Sequence, residues 1–121
     1  MAKTAKSGLA IDSPGFFTDL PINKSHLSEH FGVARSTIWA WHKVAYYRVP
    51  NFKEAYPLKA DGKIDKLAPL SPWQAWVLSL IGRLFKLYGT EERVKFYIQQ
   101  NPDDFSSYTF KVAAKNIWNS K

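Results

Sequence analysis

Seventeen consecutive residues, Pro72 to Tyr88, constrain the fold more than any other part of this chain. Within them Trp73, Trp76, Val77, Leu80, Ile81, Leu84, Phe85, Leu87 and Tyr88 recur at helical spacing over a wide arc. Ser71-Pro72 supplies a capping hydroxyl followed by proline at the first helical position, and Gly89 supplies a stop. A helix of that length spans about 25 Å at ~1.5 Å per residue. It is too short and too interrupted by Gln74 and Ser79 to cross a membrane, so the other elements are expected to pack around it. The same arc is wide enough to serve a second copy as well, and a homodimer through the Trp73–Tyr88 helix is the alternative use of it.

Helix-stop signals cut the remaining chain into short pieces. Residues 1–14 are small, polar and basic and read as a flexible basic arm, leaving 15–121 as a single domain. Phe16, Phe17 and Leu20 form a short helix or an apolar plug. From Asn23 the pattern is helical, with Asn23 or Ser25 as cap and Leu27 and Phe31 on one face, and Gly32 ends the run. A second helix runs from about Ala34 to Val44 or Tyr46, its buried stripe being Ile38, Trp41 and Ala45. Pro50 and Pro57 forbid helix beyond it, and Asp61-Gly62 is a turn signal between two short strands or within a plain loop. Helices over about 72–88, 90–100 and 105–119 complete a mainly α chain with a C-terminal helical bundle.

With 121 residues, 45% of them hydrophobic, the chain has enough apolar material for one core, which excludes wholesale disorder. No cysteine is present, so no disulfide framework, thiolate metal site or thiol nucleophile exists. No signal peptide is recognisable, and a cytoplasmic, nucleoid-associated protein is expected. The net charge of +7 points to a polyanionic partner. Its distribution is the sharper clue: Lys24, Arg35, Lys43, Arg48 and Lys53 face Glu29 alone between Leu20 and Lys53.

Residues Lys24 to Lys43, KSHLSEHFGVARSTIWAWHK, resemble the helix-turn-helix of DNA-binding repressors. The family's apolar positions are filled by Leu27, Phe31, Val33, Ile38 and Trp41, its turn glycine by Gly32 and its small residue by Ser28. Serine replaces the commoner alanine at Ser28, and Ala34 stands where a capping serine or threonine is usual. The resemblance implies that residues 24–43 dock on double-stranded DNA with the second helix in the major groove. Base contacts then fall to Arg35, Ser36, Thr37, Trp39 and Ala40, and phosphate contacts to Lys24, Ser25, Lys43, Arg48 and Lys53. Residues 50–67 resemble the wing of winged, excisionase-type regulators, with Lys59, Lys63 and Lys66 along the backbone. The function implied is that of a transcriptional regulator or a mobile-element factor, with no enzyme activity and no cofactor. The alternative is a protein-interaction or assembly module that uses its aromatic helices, the hairpin being structural.

Two further patterns compete for the same residues. His26-Leu27-Ser28-Glu29-His30 matches the H-x-x-E-H zinc motif of inverzincin peptidases. Leu27 is already required by the hairpin core, however, and the third ligand would have to be Glu91 or Glu92, so no metal site is expected. Tyr46, Tyr47 and Phe52 beside Arg48 are candidates for stacking on single-stranded bases.

Overall fold

The computed structural model describes residues 15–119, and the arm expected over 1–14 lies outside the described residues. Among the described residues five α-helices follow one another: α1 (Lys24–Phe31), α2 (Arg35–Arg48), α3 (Pro72–Tyr88), α4 (Glu91–Gln100) and α5 (Ser107–Asn119). Two 3-10 turns, Lys53–Ala55 and Pro102–Phe105, punctuate the connections. The chain is mainly α, and no strand forms among the described residues. None of its described helices is long and apolar enough to cross a membrane.

α3 is the centre. Ser71 and Gln74 close a reciprocal capping box at its start, and Gly89 ends it with φ 83°. Gln74 is buried nonetheless, because its amide nitrogen donates to the Phe52 carbonyl at 3.0 Å. From Gln74 to Ile81 every residue of the helix is buried, as is Leu84. Most of the arc is packed within the chain, against α2, α4 and α5, while Leu87 stays exposed. Where α2 crosses α3, the Trp41 ring sits over Gly82, and a Cβ there would lie 2.6 Å from the ring. That contact lets the two helices approach closely.

The segment before α1 is an apolar plug and not a helix, but Phe16 and Phe17 form it without Leu20, which is 68% exposed. Phe16 packs edge-on to Phe31, Phe17 stacks on Phe110 of α5, and Ile22 exchanges two backbone hydrogen bonds with Leu70. α2 runs on to Arg48, past the expected end at Val44 or Tyr46, since nothing opposes helix until Pro50 restricts Val49 to extended backbone. The last helix begins at Ser107 and not at Phe105, which is held fully buried in the preceding 3-10 turn.

The wing expected over 50–67 does not form. In its place stand the 3-10 turn and one isolated bridge, Leu58 with Ile64, closed by the Asp61-Gly62 turn. Local bonds explain why the ladder stops there. Asp61 accepts from the Lys63 amide and Asp65 from the Leu67 amide, drawing the backbone into Asx turns. Pro57 offers no donor, and Leu58, 67% exposed, has no apolar surface to cover it.

Candidate nucleic-acid interface

The geometry of α1 and α2 follows from their ends. Asn23, and not Ser25, caps α1, its side-chain oxygen accepting from the His26 amide at 2.8 Å. Gly32 takes the left-handed conformation, φ 67°, and its amide donates to Glu29 while that of Val33 donates to Ser28. This double bond pattern terminates the helix and turns the chain within two residues. Leu27 and Ile38 are fully buried between the helices, with Phe31, Val33 and Trp41 packed at the margin. Ser28 is buried too, and its hydroxyl donates back to the Ser25 carbonyl at 2.7 Å, which satisfies it inside the crossing. Ala34 occupies the N-cap of α2 and provides no side-chain bond.

With Ile38, His42 and Ala45 turned inward, the opposite side of α2 is set by periodicity. Ser36, Ala40, Lys43 and Tyr47 form an exposed stripe at spacings of three and four, and Arg35 is exposed in the first turn. No acidic residue lies on α2. Tyr47, 70% exposed, extends the stripe by about two turns beyond the residues assigned to base contact. Its sequence signal was available, four residues after Lys43 and seven after Ala40. The three stacking candidates separate, since Phe52 is fully buried and Tyr46 half-buried.

The other expected contacts are distributed unevenly. Thr37 and Trp39 are half-buried, Trp39 being laid back against His42 with ring centroids 5.0 Å apart. Ser25 is half-buried in the first turn of α1. Lys24 does not face solvent: it is 8% exposed, and its Nζ donates to the Lys66 carbonyl at 2.8 Å. A phosphate cannot reach it there without the cluster opening, so Lys24 leaves the set of surface cations. Lys43 and Arg48 border a small cleft shared with Glu91 and Lys95 of α4. The Lys95 hydrogen bond, aided by the charges of Lys95, Lys43 and Arg48, holds the Glu91 carboxyl below the usual range. Lys53 is exposed on a turn whose next residues, Glu54 and Ala55, line a cleft with Asp103. Lys59, Lys63 and Lys66 are exposed on the 57–70 loop, and Lys66 Nζ lies 6.0 Å from the Tyr46 ring centroid. The loop thus flanks α2 even though it is not a hairpin.

Beneath Trp39 lies a buried polar cluster. His42 Nε2 and the Tyr56 hydroxyl are 2.8 Å apart. Burial, with Lys24 and Lys66 adding to it, pulls the His42 pKa down to about 4, so the ring is neutral at pH 7. Burial likewise pushes the Tyr56 phenol up.

His26, Glu29 and His30 are exposed on α1, and the His30 ring is covered by Phe16 at 4.6 Å. Among the described residues, no group of three His, Asp or Glu side chains is placed to hold a metal ion. Glu91, one of the two candidates for a third ligand, is bonded to Lys95 at 2.8 Å.

No protein-family model, curated protein or solved structure matches this chain, so its own geometry carries the functional reading.

Proposed function

We propose that the protein binds double-stranded DNA through α2, acting as a regulator of transcription or of a mobile element. The observation that carries this is the pairing of a glycine-turned α1–α2 hairpin with an outward stripe on a helix that carries no acid, Glu91 of α4 meeting only the Lys43–Tyr47 end of it. A major groove admits one α-helix, and Arg35, Ser36 and Ala40 are the side chains a helix so oriented presents first to base edges. Lys43 follows on the same stripe for phosphate, and Lys59 and Lys63 extend from the loop at its flank. The uncapped amides at the start of α2 add partial positive charge on the same side.

Substitution separates the roles. Arg35→Ala is expected to lose ~1–3 kcal/mol on the preferred duplex and little on others, whereas Lys43→Ala weakens every duplex alike. Competition binding on a panel of duplexes reads this directly, and equal losses on all sequences from both variants would remove Arg35 from base reading.

A second reading is favoured by one surface. Phe96, 64% exposed, borders a groove of about 510 Å³ with Tyr88, Tyr97 and Gln100. A protein partner is the natural occupant of such a face. Under that reading Phe96→Ser abolishes partner binding, while under the first it leaves duplex affinity unchanged.

A further inference from the structure

Four segments of the chain converge on one ammonium. Lys24, the first residue of α1, directs its Nζ away from solvent to the Lys66 carbonyl of the loop. There the ammonium lies 4.6 Å from the ring centroid of Trp39 on α2 and 5.2 Å from that of Tyr56. Two ring faces and a carbonyl replace part of the water it has left. Tyr56 passes the arrangement on to His42 through its hydroxyl, and Lys66 covers Tyr46. The start of α1, the middle of α2, the Phe52–Tyr56 turn and the loop are thereby referenced to a single point.

The arrangement carries a penalty. Burial lowers the Lys24 pKa to about 8, with Asp65 opposing the shift, so the charged form is held less comfortably than in water. An apolar side chain of the same length would fill the space without that penalty. A buried charge that does not contribute to stability can still specify an arrangement.

We propose that Lys24 is the positioning residue of the DNA-binding surface: its caged ammonium fixes Trp39, and with it the setting of the outward face of α2, and holds the lysine-bearing loop beside that face. The functional half of this assignment rests on the DNA-binding reading, and the cage itself does not.

Lys24→Met keeps the length of the stem and removes the charge. The variant is expected to fold with unchanged or raised stability, yet to bind duplex roughly five- to tenfold more weakly at every salt concentration, the scale of one misaligned base contact. The slope of log affinity against log salt stays parallel to that of the wild type. A slope shallower by ~0.9 would make Lys24 a phosphate ligand and overturn the assignment. Trp39→Leu gives a second, independent handle. Combined with Lys24→Met it is expected to lose no more affinity than the larger single effect, and additive losses would show that the two do not act together.

A measurement without DNA tests the cage alone. During trace acetylation of the full chain with acetic anhydride near pH 11, where all four amines are free, peptide mass analysis should find Lys24 the slowest to react among Lys24, Lys43, Lys59 and Lys63, and equal to them in denaturant. Reaction of folded Lys24 at the rate of Lys43 under that condition would show that no cage exists. Protection of Lys24 in a protein that binds no duplex would leave the cage standing and refute its functional half.

Discussion

At the scale of the residue, Lys24 and His42 share one buried cluster and give stability a pH profile of defined sign. The folded pKa of His42, about 4, lies below its ordinary 6.5, so between those values the unfolded chain binds a proton that the native chain does not. Its contribution is complete above pH 6.5 and is lost as pH falls towards 4. The loss is on the order of 2 kcal/mol after allowance for partial solvation. Lys24 acts at the other end. Its folded value of about 8 against 10.5 means that only the unfolded chain stays fully protonated between them, so stability rises as pH climbs above 8. The raised phenol of Tyr56 reverses the trend above pH 10, where the unfolded chain loses a proton that the native one keeps. Urea midpoints measured from pH 4 to 11 should show the acid loss, the rise and the reversal, and Lys24→Met should flatten the rise. No such rise in the wild type would mean that Lys24 is solvated. None of this was legible in the sequence, which offered Lys24 as a surface cation. Its burial depends on Trp39, Tyr56 and the Lys66 carbonyl, the last of them 42 residues away, and no local pattern encodes such a meeting.

Elements were legible to the extent that local chemistry decides them. Leu27, Phe31, Gly32 and Ile38 lie within one short stretch of the sequence, so their spacing alone specifies the α1–α2 hairpin. Ser71-Pro72 and Gly89 bracket α3 for the same reason. The wing expected over 50–67 gave way to the plain loop because a turn signal says nothing about whether Asp61 and Asp65 will take amides from a strand ladder. Two substitutions test the element account. Gly82→Ala gains ~1 kcal/mol of helix propensity but drives a methyl into the Trp41 ring, and a net loss of about 1–2 kcal/mol is expected in chemical denaturation. A net gain would mean that α2 and α3 are not in close contact there. Ala34→Ser restores the missing cap of α2 and is expected to raise stability by about 0.5–1 kcal/mol without lowering duplex affinity. A neutral result would indicate that the first amides of α2 already have partners.

For the whole molecule, the wide apolar arc of α3 and the excess of seventeen Lys and Arg over ten Asp and Glu have separate uses. The arc serves mainly the core: α3 is buried from Gln74 to Ile81 and packs on α2, α4 and α5. The charge excess stays largely at the surface, where it meets the outward stripe of α2. The acidic residues Glu91 and Glu92 are gathered at the start of α4 and paired with Lys95, and Glu91 lies beside the Lys43–Tyr47 end of the stripe. That division was half visible in the sequence: periodicity assigned α3 to the interior, but the acidic cluster's place beside Lys43 and Arg48 required the tertiary packing of α4 on α2. The central claim is that this surface takes duplex DNA, and the most direct test is fluorescence anisotropy of a labelled random duplex at about 50 and 200 mM salt. With Lys43, Lys59 and Lys63 as phosphate-reaching cations at ~0.9 each, the log–log slope is expected near −2.5 to −3. Absence of binding at the lower salt, or binding indifferent to salt, would contradict the claim.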